Sequence, residues 1–258
     1  MVETPKKSVK PVVVWMGGWV SSLVCWEPQL RAAFPEYDHR FVDTHDVLDA
    51  AAPPVEVTGA LDEHGASHTG HGATRLVAAW SLGSLRVHRW MADGTWPVRL
   101  PVLSLCPVFR FVPAGSAGAF GQSILLRMEQ KLGAERETVL RDFWRRMPKA
   151  SAMPPAWEAA WLAGTRRYDD ASVLAALRYL RQQTAEPRTL TSVPRRWELL
   201  AGSQDRLAPA GAWRNELPDG AALTLYEGGH IPFWECPDLV RAALQRLAQP
   251  ESPAGTSA

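Results

Sequence analysis

The chain lacks any run approaching the ~20 consecutive apolar residues that a membrane-crossing helix needs, which excludes a membrane-spanning reading of its 258 residues. It also lacks net charge. Its 28 Lys and Arg against 27 Asp and Glu leave +1, so there is no global attraction to nucleic acid or to an anionic membrane. Any preference of that kind has to come from a local patch. Cysteine is scarce: Cys25, Cys106 and Cys236 are an odd number at wide spacing, with no CxxC and no Cys/His zinc pattern. That argues against a disulfide framework and points to reduced thiols in a cytoplasmic protein. Lys6, Lys7 and Lys10 ahead of Val12-Val13-Val14-Trp15-Met16 imitate a secretory leader, but Gly17 and Gly18 interrupt the apolar run and no small-x-small cleavage site follows. Ser22-Leu23-Val24-Cys25 is a poor lipoprotein box because valine precedes the cysteine. Export is not expected.

What is present is ordinary for a globular protein, with 46% apolar and 21% charged residues, apart from 12 tryptophans. Rings of that size line apolar pockets as well as cores. The length suits one large α/β domain or two small ones.

Pro11 to Met16 reads as a fully buried parallel strand, Arg75 to Trp80 and Val98 to Leu105 as buried strands, and His39 to Val42, Arg196 to Leu200 and Ala222 to Tyr226 as further strands. Helices are expected over Cys25 to Phe34, directly after Ser81, and over Pro237 to Ala248. From Pro113 to Thr184 the periodicity is helical throughout, which predicts an inserted cap. Val139, Leu140, Phe143, Trp144 and Met147 share one helical face there. The expected division is a core of residues 1–112 and 185–248, a helical cap of 113–184, and a disordered tail of 249–258. Arg127 to Arg181 holds 11 basic and 7 acidic residues, a net of +4, while the rest holds 17 and 20. This is either a solvated helix surface or a docking face for an acidic partner.

Three loops carry chemistry. Ser81, in Ala79-Trp80-Ser81-Leu82-Gly83, lies between a strand end and a helix start, where a strained turn lifts a hydroxyl off the sheet. The pattern also fits an ordinary strand-to-helix turn. Asp205 and His230 each follow a strand, where open parallel sheets place ligand sites. Asp205 could instead cap a helix starting near Leu207, and His230 could be structural. Their order, nucleophile, acid, base, is that of α/β-hydrolases. In that reading His230 takes the Ser81 proton and Asp205 fixes the imidazole tautomer. The backbone N–H groups of Leu82 and of Trp19, in the Gly17-Gly18-Trp19 turn, would bind the oxyanion. Asp43 and Asp142 are weaker candidates for the acid. His88, two helical turns past Ser81, reads as a packed histidine. His64, His68 and His71 sit among glycines that break any helical metal-ligand spacing, so no metal is expected.

Val12 to Trp19 with Trp26, Trp80-Ser81-Leu82-Gly83, Gly202-Ser203-Gln204-Asp205-Arg206-Leu207-Ala208-Pro209, and His230-Ile231-Pro232-Phe233 together resemble the pimeloyl-acyl-carrier-protein methyl ester esterases of biotin synthesis. The cap, with Gln130-Lys131-Leu132 and Phe143, extends the likeness over most of the chain. The resemblance implies an α/β-hydrolase fold, a mostly parallel sheet with helices on both faces and a helical cap. It implies a serine carboxylesterase freeing pimeloyl-acyl carrier protein from its methyl ester, with a pocket at Trp19, Trp80, Phe143 and Phe233. Arg141, Arg145, Arg166 and Arg167 would grip the acidic carrier. Water is the only co-reactant, so no cofactor is expected. Three departures stand out: Gly17 where a histidine commonly precedes Gly-Trp, Asp43-Thr44-His45 in place of an Asp-x-Pro-Gly-x-Gly segment, and Ala79. The competing readings are a general short-chain esterase or thioesterase without carrier preference and, more remotely, a non-catalytic binding protein of the same fold.

Overall fold

The structure, a computed structural model, describes residues 9–61, 67–68, 74–112, 116–148 and 153–249. Its centre is a sheet of six strands: β1 (Val12–Met16), β2 (Asp38–Val42), β3 (Arg75–Trp80), β4 (Val102–Leu105), β5 (Trp197–Gly202) and β6 (Ala221–Tyr226). They lie in the order β2-β1-β3-β4-β5-β6. Every neighbouring pair is parallel. The order reverses between β1 and β3, which opens a crevice at their carboxyl ends where such sheets bind ligands. β4 starts later than the sequence suggests. Pro97 and Pro101 bring no N–H to a ladder, and the Leu100 amide closes a turn onto the Pro97 carbonyl at 2.8 Å. A two-residue ribbon of Ala60–Leu61 against Ser67–His68 stands apart from the sheet. His64, His71 and the side chain of His68 lie outside the described residues, as do the 250–258 tail and 1–8.

Alternation along the strands explains the layering. Val13, Trp15, Leu76, Ala78, Leu103, Leu105 and Leu200 face helices α1 (Glu27–Ala33) and α6 (Pro237–Ala248), through Leu30, Val240, Ala243 and Leu244. Val12, Val14, Met16, Val77, Ala79, Val102 and Leu199 face α2 (Leu82–Ala92), through Val87, Trp90 and Met91. Helices therefore cover both faces.

Between β4 and β5 come α3 (Ser116–Trp144), which breaks at Glu135 where φ is −131° and ψ is 34°, then α4 (Pro155–Thr165) and α5 (Asp170–Gln182). The face formed by Val139, Leu140, Phe143, Trp144 and Met147 is buried as the periodicity predicts. Tryptophans join these helices to the sheet. The Trp26 indole donates to the Trp157 carbonyl at 3.2 Å, and the Trp19 indole to the Val173 carbonyl at 3.1 Å. Trp26 also packs on Trp144, Trp157, Trp80 and Phe233 with ring centroids 5.3–6.1 Å apart. Each buried ring of this size removes ~150–250 Å² from water, about 4–6 kcal/mol of gross transfer free energy.

Gly83, at the start of α2, is the tightest point between α2 and β1. A Cβ there would lie 2.8 Å from the carbonyl oxygens of both Met16 and Gly17, backbone that cannot retreat. Gly83→Ala should cost roughly 1–3 kcal/mol, a clear fall in melting temperature by calorimetry. Gly133→Ala, whose Cβ meets nothing within 4 Å, should be neutral or stabilising by about 0.5–1 kcal/mol.

Candidate active site

The end of β3 delivers Ser81 in a strained conformation, φ 54° and ψ −113°, uncommon for a residue with a side chain. Its neighbours hold it there. The Ser81 amide donates to the Leu105 carbonyl at 3.0 Å, and the Ser84 hydroxyl to the Ser81 carbonyl at 2.6 Å. The Gly83 amide donates to the Gly17 carbonyl at 2.9 Å, joining the turn to the end of β1. The effect is to point Oγ away from the sheet at the amino end of α2.

The Ser81 hydroxyl lies 2.8 Å from His230 Nε2, and His230 Nδ1 lies 2.6 Å from Asp205 Oδ2. With Nδ1–H donating to the carboxylate, Nε2 is free to accept the serine proton. His230 is fixed through its backbone as well. Its amide donates to the Met147 carbonyl in the cap and its carbonyl accepts from the Trp80 indole, both at 2.7 Å. The Gly229 amide donates to Glu235 at 2.8 Å, securing the loop just before it.

Asp205 divides its oxygens. Oδ2 meets His230, while Oδ1 accepts from the Leu207 and Ala208 amides at 2.8 and 3.0 Å. No helix begins at Leu207; the next turn of helix is Ala210–Ala212. Burial pushes the Asp205 carboxyl up, but the charge and hydrogen bond of His230 and the two amides outweigh it and hold it below the usual carboxylate range. Asp205 therefore stays ionised at neutral pH.

The Leu82 amide is the first of α2 and has no intrahelical acceptor. Among the described residues nothing accepts from the Trp19 amide either. Gly18 packs against Trp80 and Ser81, with its Cβ position 3.4 Å from Ser81 Cβ, so the Gly17-Gly18-Trp19 turn borders the serine. Two residues that the sequence marks only as part of a departure from the family pattern support this turn: the Thr44 hydroxyl donates to the Gly17 carbonyl at 2.7 Å, and His45 Nε2 accepts from the Val20 amide at 3.1 Å. Only the pairing of β2 beside β1 brings them to the turn.

Among the described residues, one trio, Cys106, Asp205 and His230, offers possible metal-ligand atoms within 4.8 Å of one another. Asp205 and His230 are committed to each other and to Ser81. Burial, reinforced by Asp205, pushes the Cys106 thiol far up, so it stays protonated against Tyr226 and Gly229. His88 is fully buried between Val108 and Ser104, and burial lowers it to about 3, leaving it neutral and structural. Asp43 accepts from the Tyr168 hydroxyl at 2.6 Å and from the His45 amide, and Asp142 pairs with Arg145, so neither reaches His230.

A cavity of about 590 Å³ opens in the cap, lined by Phe111, Leu125, Met128, Val139, Phe143 and Leu207, with Arg127, Lys131, Asp142 and Arg146 also on its wall. Of the four expected pocket residues only Phe143 lines it. Trp19, Trp80 and Phe233 are at most 2% exposed, their indoles and ring engaged in core packing and backbone hydrogen bonds. Arg141, Arg145, Arg166 and Arg167 are exposed on cap helices or their ends, the first two beside Glu137 and Asp142. Arg136 instead ties α3 to Asp170 and to the Thr165 and Tyr168 carbonyls.

No protein-family model matches the chain. A curated relative, the pimeloyl-[acyl-carrier protein] methyl ester esterase of Xanthomonas campestris pv. campestris (strain B100), is 26% identical over 250 residues, covering 92% of this chain and 94% of the relative. Among solved structures, an esterase from Exiguobacterium antarcticum superposes with a TM-score of 0.72 at 13% identity, over 92% of this chain and 91% of its own. The enol-lactonase of Burkholderia xenovorans LB400 gives 0.65 at 16% identity, over 94% and 92%. The chain is a hydrolase of the α/β-hydrolase fold. Among the described residues of the hydrolase, no helix is long and apolar enough to cross a membrane.

Because the Asp205 carboxyl is depressed in the folded hydrolase, its stabilising contribution is complete above the ordinary value of 3.8 and is lost as pH falls through the lower folded value. Asp205→Asn should be less stable than wild type at about pH 7, and the gap should narrow at about pH 3, as measured by denaturant unfolding at each pH.

Proposed function

We propose that the hydrolase is a serine carboxylesterase that cleaves the methyl ester of pimeloyl-acyl carrier protein. The observation that carries the catalytic part is the pair of contacts from His230, 2.8 Å to Ser81 and 2.6 Å to Asp205. Ser81 Oγ attacks the ester carbonyl carbon while His230 Nε2 takes its proton. The carbonyl oxygen, now an oxyanion, receives the Trp19 and Leu82 amides, and Asp205 stabilises the imidazolium. Collapse breaks the acyl–methoxy bond, and His230 returns the proton to methanol. Water then attacks the acyl-serine by the same route and frees the acid.

The carrier part is supported by the likeness to the Xanthomonas enzyme along 92% of the chain and by the net +4 of Arg127 to Arg181. Arg141, Arg145, Arg166 and Arg167 are the proposed docking residues, and an acidic carrier would be steered to them. This assignment sets the hydrolase among reduced thiols in the cytoplasm.

One observation favours the general esterase reading. Arg141 and Arg145 already have acidic neighbours on their own helix, at 3.9 and 3.3 Å, which weakens the field they offer to a partner. Surface pairs of this kind are worth little and exchange readily, so the carrier reading stands above it.

Methanol release from methyl pimeloyl-acyl carrier protein should be fast in wild type and fall by at least ~10⁴-fold in Ser81→Ala. Turnover of the carrier ester no better than that of a simple short-chain ester would sink the carrier claim. Arg141→Glu with Arg145→Glu should cut carrier-dependent turnover by about tenfold or more at low salt and leave a simple ester unaffected.

A further inference from the structure

Val20 follows the proposed oxyanion residue Trp19, and it too is strained, with φ 44° on a β-branched side chain. Such a conformation costs ~1–3 kcal/mol and persists only where contacts enforce it. The three peptide planes leading into Val20 each have an anchor. The Gly17 carbonyl takes two bonds, from Thr44 Oγ1 and the Gly83 amide. The Gly18 carbonyl accepts from the Ser21 amide at 3.3 Å. The third plane, between Trp19 and Val20, is held by a single side chain: the Val20 amide donates to His45 Nε2 at 3.1 Å.

His45 is itself immobilised. Its ring stacks on Tyr168 with centroids 4.3 Å apart, the Tyr168 hydroxyl bonds Asp43, and Asp43 accepts from the His45 amide. Nδ1 is buried with no hydrogen-bond partner among the described residues. Burial lowers the ring's proton affinity against the opposing pull of Asp43 and Asp46, so it stays neutral and Nε2 remains an acceptor. We infer that His45 is a positioning residue for the oxyanion hole: by accepting from the Val20 amide it holds the Trp19–Val20 peptide in its strained orientation and so aims the Trp19 amide at the reacting carbonyl.

The inference rests on the role proposed for Trp19, and the experiment separates the two. His45→Gln keeps an acceptor at comparable reach, whereas His45→Met has the same length and only a weak thioether acceptor. His45→Met should lower kcat on a short-chain p-nitrophenyl ester roughly ten- to a hundredfold at nearly constant KM, short of the 10²–10³ for loss of a hole donor. His45→Gln should recover most of it. Amide hydrogen exchange of residues 17–21 should rise in His45→Met and not in His45→Gln, a readout independent of turnover. If His45→Met does not fold, His45→Phe, which preserves the stack on Tyr168, takes its place in the same comparison. Exchange and kcat both unchanged overturn the inference, as does faster exchange with normal kcat. A wild type inactive on esters and unlabelled at Ser81 by a fluorophosphonate refutes the parent reading, while exchange still decides whether His45 clamps the turn.

Discussion

Ser81 is held at φ 54° between a buried strand and a helix, and the packing around it makes sense once that strain is the starting point. A conformation costing ~1–3 kcal/mol needs enforcement from several sides. Here enforcement comes from the Leu105 carbonyl on one flank, the Gly17 carbonyl on the other, and α2 pressed so close to β1 that position 83 tolerates no Cβ. The same approach brings the Gly17-Gly18-Trp19 turn beside the serine. Strain at Ser81 and placement of the glycine turn are two consequences of one close contact.

The cap is tied to this centre more tightly than a lid resting on a finished site would be. Met147 accepts the His230 amide, Val173 accepts the Trp19 indole, and Tyr168 stacks on His45. A shift of α3, α4 or α5 would thus reach His230 and the Gly17-Gly18-Trp19 turn, not only the cavity. Tryptophan is the usual mediator. Its large apolar surface buries the interface while its single N–H satisfies a carbonyl that would otherwise be stranded there.

Much of the sheet was legible because its four central strands are buried and appear as short apolar runs whatever surrounds them, while the edge strands β2 and β6 are largely half-buried or exposed. All six runs form strands, and Ser81, Asp205 and His230 stand at loop positions that the strand ends define. Val98 to Pro101 has the hydrophobicity of a strand, a pattern that does not register the missing N–H groups of Pro97 and Pro101. The cavity was harder. Phe111, Leu125, Met128 and Leu207 line it from segments far apart in the chain, and only packing shows that Trp19, Trp80 and Phe233 are buried.

By itself the sequence determined the strand order of chemistry: a serine on a tight turn, then an aspartate, then a histidine, each after a strand, because local pattern fixes which residues end strands. Only the tertiary structure decided which of the polar residues meet. The Ser81 to His230 contact spans 149 positions and the Trp19 to Val173 contact 154, distances over which no periodicity carries information. Thr44 and His45 belong to the same class. Their sequence is an undistinguished loop, and their importance arises because β2 lies beside β1 and delivers that loop to the glycine turn.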